Sequence, residues 1–153
     1  MFDNTTEALW RIDCLIRWIL FVENFKRVKT VLIVDDDLGF AFWLGQTLDR
    51  AGFETWPARS VTAAKALLAE VKLAVDLLVI PASLPRALSF ASQLGRAKSD
   101  FKIIAVYPEL SDAGDTVGQF PKANAIHRKP QTIDTAAKLE WVQLVKGVLA
   151  ANE

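Results

Sequence analysis

Lys29-Thr-Val-Leu-Ile-Val-Asp-Asp-Asp37 joins an apolar run, Val31 to Val34, to three consecutive carboxylates. Four aliphatic residues in succession describe a strand buried on both faces. Carboxylates are rarely buried without a partner, so Asp35, Asp36 and Asp37 mark the point where the strand leaves the core. In an open parallel α/β sheet that point is the carboxyl edge, where ligands bind. Adjacent carboxylates repel one another, and a divalent cation or a lysine relieves the repulsion. The plainer alternative is a solvated turn whose acidic residues cap the next helix.

Beyond this strand the pattern alternates. The spacing predicts strands at Thr30–Val34, Phe53–Pro57, Asp76–Ile80, Lys102–Tyr107 and Ala123–His127. Helices are predicted at Leu38–Ala51, Ser60–Val71, Pro85–Ala97, Ser111–Phe120 and Thr132–Ala150. Phe40, Trp43, Leu44 and Leu48 face inward on the first of these, which Gly52 ends. Ser60 caps the second, whose Ala64, Leu67, Leu68 and Val71 share a face. Gly114 and Gly118 weaken the fourth. The last carries Ile133, Leu139, Val142, Val145 and Leu149. Five strands alternating with five helices make an α/β, flavodoxin-like (βα)5 fold: a doubly wound, parallel five-stranded sheet with an extra N-terminal helix.

Composition narrows the function. A chain of 153 residues that is 52% hydrophobic is long enough for one sizeable core. Lys plus Arg and Asp plus Glu are both 18, so no nucleic-acid surface is expected. Zero net charge with high hydrophobicity favours self-association or a bound partner. Cys14 is the only cysteine, which excludes an internal disulfide and a cysteine metal cluster. His127 is the only histidine and is expected as a partly exposed strand residue rather than a phosphoacceptor. Gly114 to Gly118 lacks the Lys-Ser/Thr of a phosphate loop, and no Gly-x-Gly-x-x-Gly follows the first strand.

Residues 5–27 form a helix with Asp13, Arg17 and Asn24 on one narrow face and apolar residues around most of the rest. Its longest uncharged run, Trp18 to Val22, is far shorter than the ~20 residues of a membrane span. No signal peptide is apparent. Few basic residues line the polar face, which argues against a membrane surface. The expectation is a homodimer formed through Trp10, Trp18 and Phe21, with intramolecular packing as the alternative. Trp43 and Trp141 are expected in the core.

The order of elements and four motifs resemble the receiver domain of bacterial two-component response regulators (the CheY-like family). Val31-Leu-Ile-Val-Asp-Asp-Asp37 matches the acidic end of that family's first strand. Gly52-Phe-Glu-Thr55 matches the entry to its second, and Asp76-Leu-Leu-Val-Ile-Pro-Ala-Ser-Leu-Pro85 matches its third strand and loop. Arg128-Lys129-Pro130 matches the Lys-Pro after its fifth. The resemblance covers roughly Lys29 to Ala150, which sets 29–153 as the receiver-like domain and 1–28 as an N-terminal amphipathic helix, a possible dimerisation element. It implies an aspartate ending strand three that takes a phosphoryl group from a histidine kinase. It also implies an acidic pair holding Mg²⁺, a lysine on the phosphoryl oxygens, a Ser or Thr ending strand four, and an aromatic on strand five. Phosphoryl transfer of this kind is positioning plus charge neutralisation, so each part is needed.

Three of those parts are replaced here. The acceptor position is Pro81, which has no nucleophile, and Ser83 beyond it cannot form an acyl phosphate. The Ser/Thr position is Tyr107, whose ring would fill space meant for a phosphoryl group, and the aromatic position is Ile126. Asp35, Asp36 and Lys129 remain as a degenerate active-site cluster, in which Lys129 pairs with Asp35 or Asp36. The resemblance also implies a cis Lys129–Pro130 bond.

The function expected is therefore a non-enzymatic, cytoplasmic pseudo-receiver without a resident cofactor. It would act on a protein partner in trans, a histidine kinase or another signalling protein, because no output domain follows Ala150. Its output face would run from Ser111 to Lys138 and along the closing helix. The alternative is a receiver with weak Mg²⁺ binding, and phosphoryl chemistry, at Asp35 and Asp36 with a carbonyl near Ala82. A third possibility is a dimeric scaffold built on the N-terminal helix.

Overall fold

Each strand sends alternate residues to opposite faces of one sheet, and helices cover both faces. A computed structural model describes residues 8, 11–17, 19, 28–108, 118, 120 and 122–151. Its strands are β1 (Thr30–Val34), β2 (Glu54–Ala58), β3 (Leu77–Pro81), β4 (Lys102–Tyr107) and β5 (Ala125–Arg128). They pair in parallel in the order β2-β1-β3-β4-β5. The helices between and after them are α1 (Leu38–Arg50), α2 (Val61–Val71), α3 (Ala87–Ala97) and α4 (Thr135–Ala150). Residues 11–17 are also helical. The helix expected over 111–120 lies outside the described residues except at Gly118 and Phe120.

Val31, Ile33, Leu77, Val79, Ile104 and Val106 face one core, against Phe40, Leu44 and Leu48 of α1 and Trp141 and Val145 of α4. Leu32, Val34, Leu78, Ile80 and Ala105 face the other, against Val61, Ala64, Phe90 and Ala91 of α2 and α3. Burial on both sides is why β1 and β3 carry unbroken apolar runs. The one proline inside β2, Pro57, pairs with Ile33 on an edge strand, where a missing amide hydrogen is tolerated.

Helix starts follow local side-chain chemistry. Asp37 Oδ1 accepts from Phe40 N at 3.2 Å, Ser60 Oγ from Ala63 N at 3.0 Å and Asp134 Oδ1 from Ala137 N at 2.8 Å. Each oxygen satisfies an amide that the first helical turn leaves open. Gly52, at φ +99°, makes the left-handed turn into β2.

Several expectations are corrected. α3 starts at Ala87 rather than Pro85, because Arg86 sits at φ +65°, outside helical space. α4 starts at Thr135 rather than Thr132, which leaves Ile133 before the helix and Leu139 on its outer side; both are 58% exposed. Trp141 and Val145 fill the core instead. Val71, expected to share a face with Ala64, Leu67 and Leu68, is exposed at the end of α2. The Lys129–Pro130 bond is trans; no peptide bond among the described residues is cis.

At the amino edge of the sheet, Asp76 is a buried charged residue that pattern reasoning passed over as the start of a strand. Its Oδ2 accepts from Thr30 N at 2.8 Å, and its Oδ1 pairs with the Lys98 ammonium. Its backbone accepts from Lys102 N and donates to Thr30 O, both at 3.0 Å. One side chain thus ties β1 and α3's exit to the start of β3. Such a buried charge is tolerated because it is paired and hydrogen-bonded. Among the described residues no helix is long and apolar enough to cross a membrane.

Candidate functional site

The order of the strands reverses direction between β1 and β3, so the crevice at their carboxyl ends is the position where this architecture places ligands. Asp35 leaves β1 on one side of that crevice and Pro81 ends β3 on the other. Lys129 follows β5 and reaches across.

The three carboxylates have three different fates. Asp35 is 1% exposed, and its Oδ2 lies 2.8 Å from Lys129 Nζ. At that distance the ammonium neutralises the buried carboxylate, and the Lys129 contact is the largest influence favouring its ionised form. Asp35 Oδ1 accepts from Asp37 N at 2.9 Å. Asp36 is exposed. Asp37 caps α1, and its Oδ2 stands 3.9 Å from Lys129 Nζ. The expected pair Asp35 and Asp36 is therefore split: the lysine engages Asp35 and, more distantly, Asp37.

Burial pushes the Asp35 carboxyl above its ordinary range. The Lys129 ammonium and the Asp37 amide pull it down, and the neighbouring Asp36 side chain pushes it up again. Desolvation dominates, so the folded state holds the Asp35 proton more tightly than the unfolded chain does. Stability associated with this group is complete below the unfolded value of 3.8 and declines as pH rises through the folded value. The ionised form is thus a strained arrangement that Lys129 makes tolerable.

Lys129 has a further neighbour that sequence reasoning missed. Its ammonium sits 5.0 Å from the centroid of the Phe40 ring, close enough for a cation–π attraction. Phe40 was legible only as an inward residue of α1. Its ring also meets Trp141 edge-on at 5.6 Å, so the lysine rests on a rigid aromatic base.

Tyr107 is half-buried at the end of β4, opposite Arg128 in register. The Arg128 guanidinium carbon lies 5.5 Å from the centre of its ring. Its carbonyl accepts from Lys129 N at 3.1 Å. Tyr107, His127, Lys129, Thr132 and Glu140 help line an open groove of about 590 Å³ along β5 and α4. His127 Nε2 is 3.0 Å from Glu140 Oε1, and its ring stands edge-on to Trp141 at 4.9 Å. Ile126 is partly buried against the core on the α2/α3 side. Ser83 lies in the turn after β3. Trp10, Trp18 and Phe21 lie outside the described residues.

The residues present do not fit a resident Mg²⁺ ion. Mg²⁺ requires near-octahedral oxygen ligands at about 2.0–2.1 Å. Here Lys129 occupies the Asp35 carboxylate, Asp37 caps a helix and β3 ends in proline. Among the described residues no three His, Cys, Asp or Glu side chains are grouped to hold a metal.

No family model matches the chain, and no curated protein does either. Solved structures do. A candidate response regulator from Chloroflexus aurantiacus is 25% identical, with a TM-score of 0.63 over 81% of this chain and 99% of that one. A response regulator receiver protein from Sinorhizobium medicae is 21% identical, with a TM-score of 0.67 over 83% and 98%. A CheY-like receiver domain protein from Methanospirillum hungatei is 21% identical, with a TM-score of 0.64 over 82% and 96%. The fold is that of response regulator receiver domains.

Proposed function

We propose that this chain is a cytoplasmic pseudo-receiver: a signalling module that works without phosphorylation and acts by protein contact rather than by catalysis. One observation carries the reading. Pro81, a buried residue with no nucleophilic atom, ends β3, the strand next to the one that Asp35 follows. Lys129 pairs with Asp35 and rests on Phe40, a set of contacts that would tie the carboxyl ends of β1 and β5 to α1. Incubation with Mg²⁺ and acetyl phosphate should leave the intact mass unchanged. A phosphoryl adduct at any residue of the crevice would overturn the reading.

The partner-facing surface in this proposal is the groove along β5 and α4, with Tyr107 and Arg128 at one end. Both partner classes named from the sequence, a histidine kinase or another signalling protein, remain compatible with it.

Self-association is the second part of the proposal. Ile12, Leu15, Ile16 and Ile19 recur at helical spacing and are 47–57% exposed. A stripe of this kind at i, i+3, i+4 and i+7 is one apolar helix face left in water. A second copy would cover it. The full chain should elute as a dimer in light-scattering chromatography, and the double variant Ile12→Glu/Ile16→Glu as a monomer with an unchanged circular dichroism spectrum. A monomeric parent would remove this part while leaving the phosphorylation-independent reading intact.

A further inference from the structure

A hollow of about 350 Å³ lies along the seam between α1 and α4. Trp43, Thr47 and Arg50 line it from α1, and Lys138, Leu139 and Val142 from α4. Most of its surface is apolar. Thr47 Oγ1 donates to Trp43 O at 2.8 Å, so that hydroxyl is spent within α1. Trp43 Nε1 is buried, and the indole therefore offers the hollow its carbon atoms. Arg50 and Lys138 are exposed residues that can lay aliphatic stems along the seam while their charged heads stay in water. Leu139, 58% exposed, stands on the same wall. The seam is an apolar surface left open to solvent.

The same chain carries a matching convex surface. Residues 11–17 are helical, and Ile12, Leu15, Ile16 and Ile19 form the exposed stripe described above. Helical rise gives the stripe from Ile12 to Ile19 a length of about 10.5 Å. The groove wall from Trp43 to Arg50 and the facing wall from Thr135 to Val142 each run about 10.5 Å by the same measure. An apolar helix face laid into a groove is a recurrent mode of recognition, with anchors at i, i+3, i+4 and i+7. The four stripe residues have that spacing. Arg17, on the polar side of this helix, is paired with Asp13 at 3.3 Å, so it brings no bare cation towards Arg50 and Lys138. In the single chain stripe and groove both stand open, and neither covers the other.

We propose that the N-terminal helix of one copy packs into the α1/α4 groove of a second copy, and that the exchange is reciprocal. This rests on the self-association reading above and names the surface that meets the stripe. A one-way contact would leave a stripe and a groove open on every complex and would propagate into a filament. A reciprocal contact closes at two copies and covers both apolar surfaces of each chain. The groove shares no residue with the crevice of Asp35, Pro81 and Lys129, so the phosphorylation-independent reading stands apart from it.

Leu139→Glu puts a charge into the groove at an exposed position, so the full chain should keep its circular dichroism spectrum. In light-scattering chromatography it should run as a monomer, with the dimer dissociation constant raised about 100-fold or more, because the loss counts at both symmetric contacts. Mixed one-to-one with Ile12→Glu/Ile16→Glu, it should recover a dimer, since one chain supplies an intact stripe and the other an intact groove. A second measurement needs no substitution. A nitroxide on Cys14, the only cysteine and an exposed one, should broaden the amides of Gln46, Arg50 and Leu139 in an isotope-labelled, unmodified copy mixed with it. A Leu139→Glu chain that stays dimeric, or broadening confined to residues 8–19, would overturn this proposal and leave a dimer joined stripe to stripe. A monomeric parent would overturn the self-association reading and this proposal together.

Discussion

Lys129→Met should destabilise the folded chain by ~3 kcal/mol at pH 7 and by much less at pH 4. The methionine keeps an unbranched apolar stem but removes the charge, and with it the ammonium's cation–π contact with Phe40. Asp35, 1% exposed, would then hold a carboxylate with no cation beside it. Removing one partner of a buried ion pair is costly because the survivor keeps its desolvation penalty. The pH dependence gives the sign. Burial already raises the Asp35 carboxyl, and loss of Lys129 removes the largest opposing influence. The variant therefore binds its proton more tightly still, and its deficit against the parent grows as pH rises through the parent's folded value, which lies above the unfolded 3.8. Urea midpoints at the two pH values measure this. A loss below about 1 kcal/mol at pH 7, the range of a solvated surface pair, would mean that Lys129 does not neutralise Asp35.

Trp141→Ala should cost ~3–5 kcal/mol, a large share of the 5–15 kcal/mol typical of a domain. Trp141 is the largest fully buried side chain among the described residues and is 1% exposed. It packs edge-on against Phe40 and His127, and so joins α1, β5 and α4 under the Lys129 contact. The cavity left by its removal would undercut the aromatic base on which the lysine rests. The two substitutions should therefore be less than additive, because Phe40 is common to both. Chemical denaturation followed by far-ultraviolet circular dichroism reads the loss. A change under about 1.5 kcal/mol would place Trp141 in a site that collapses freely, which its burial does not suggest.

Much of this architecture was legible before any coordinates. Val31 to Val34 and Leu77 to Ile80 could only be strands covered on both faces, and the alternation of elements dictated a parallel sheet. Ser60 was readable as a cap because its type and its place before an apolar helical pattern agree. That position 81 offers no nucleophile was readable from residue type, since proline cannot be one in any conformation.

What was not legible depended on contacts distant in sequence. Asp76 meets the Thr30 amide across 46 positions, and no local pattern signals that pairing. The division of labour among Asp35, Asp36 and Asp37 depends on how the chain turns out of β1, which composition does not encode. Tyr107 and Arg128 become neighbours only through the register of β4 and β5. Ile133 and Leu139 looked like core residues because the helix was drawn three residues too early. Once Asp134 caps it, the inward stripe passes to Ala137, Trp141 and Val145.

The central claim is that the crevice no longer responds to a phosphoryl group. Its most direct test is a titration of the ¹⁵N-labelled chain with Mg²⁺ and beryllofluoride, which mimics a phosphoryl group on a receiver aspartate. The amides of Asp35, Asp36, Asp37 and Lys129 should show no saturable shift, because Lys129 already occupies Asp35 and Pro81 offers no oxygen nucleophile. A saturable shift centred on those four amides would contradict the account and restore the crevice as a working ion or phosphoryl site.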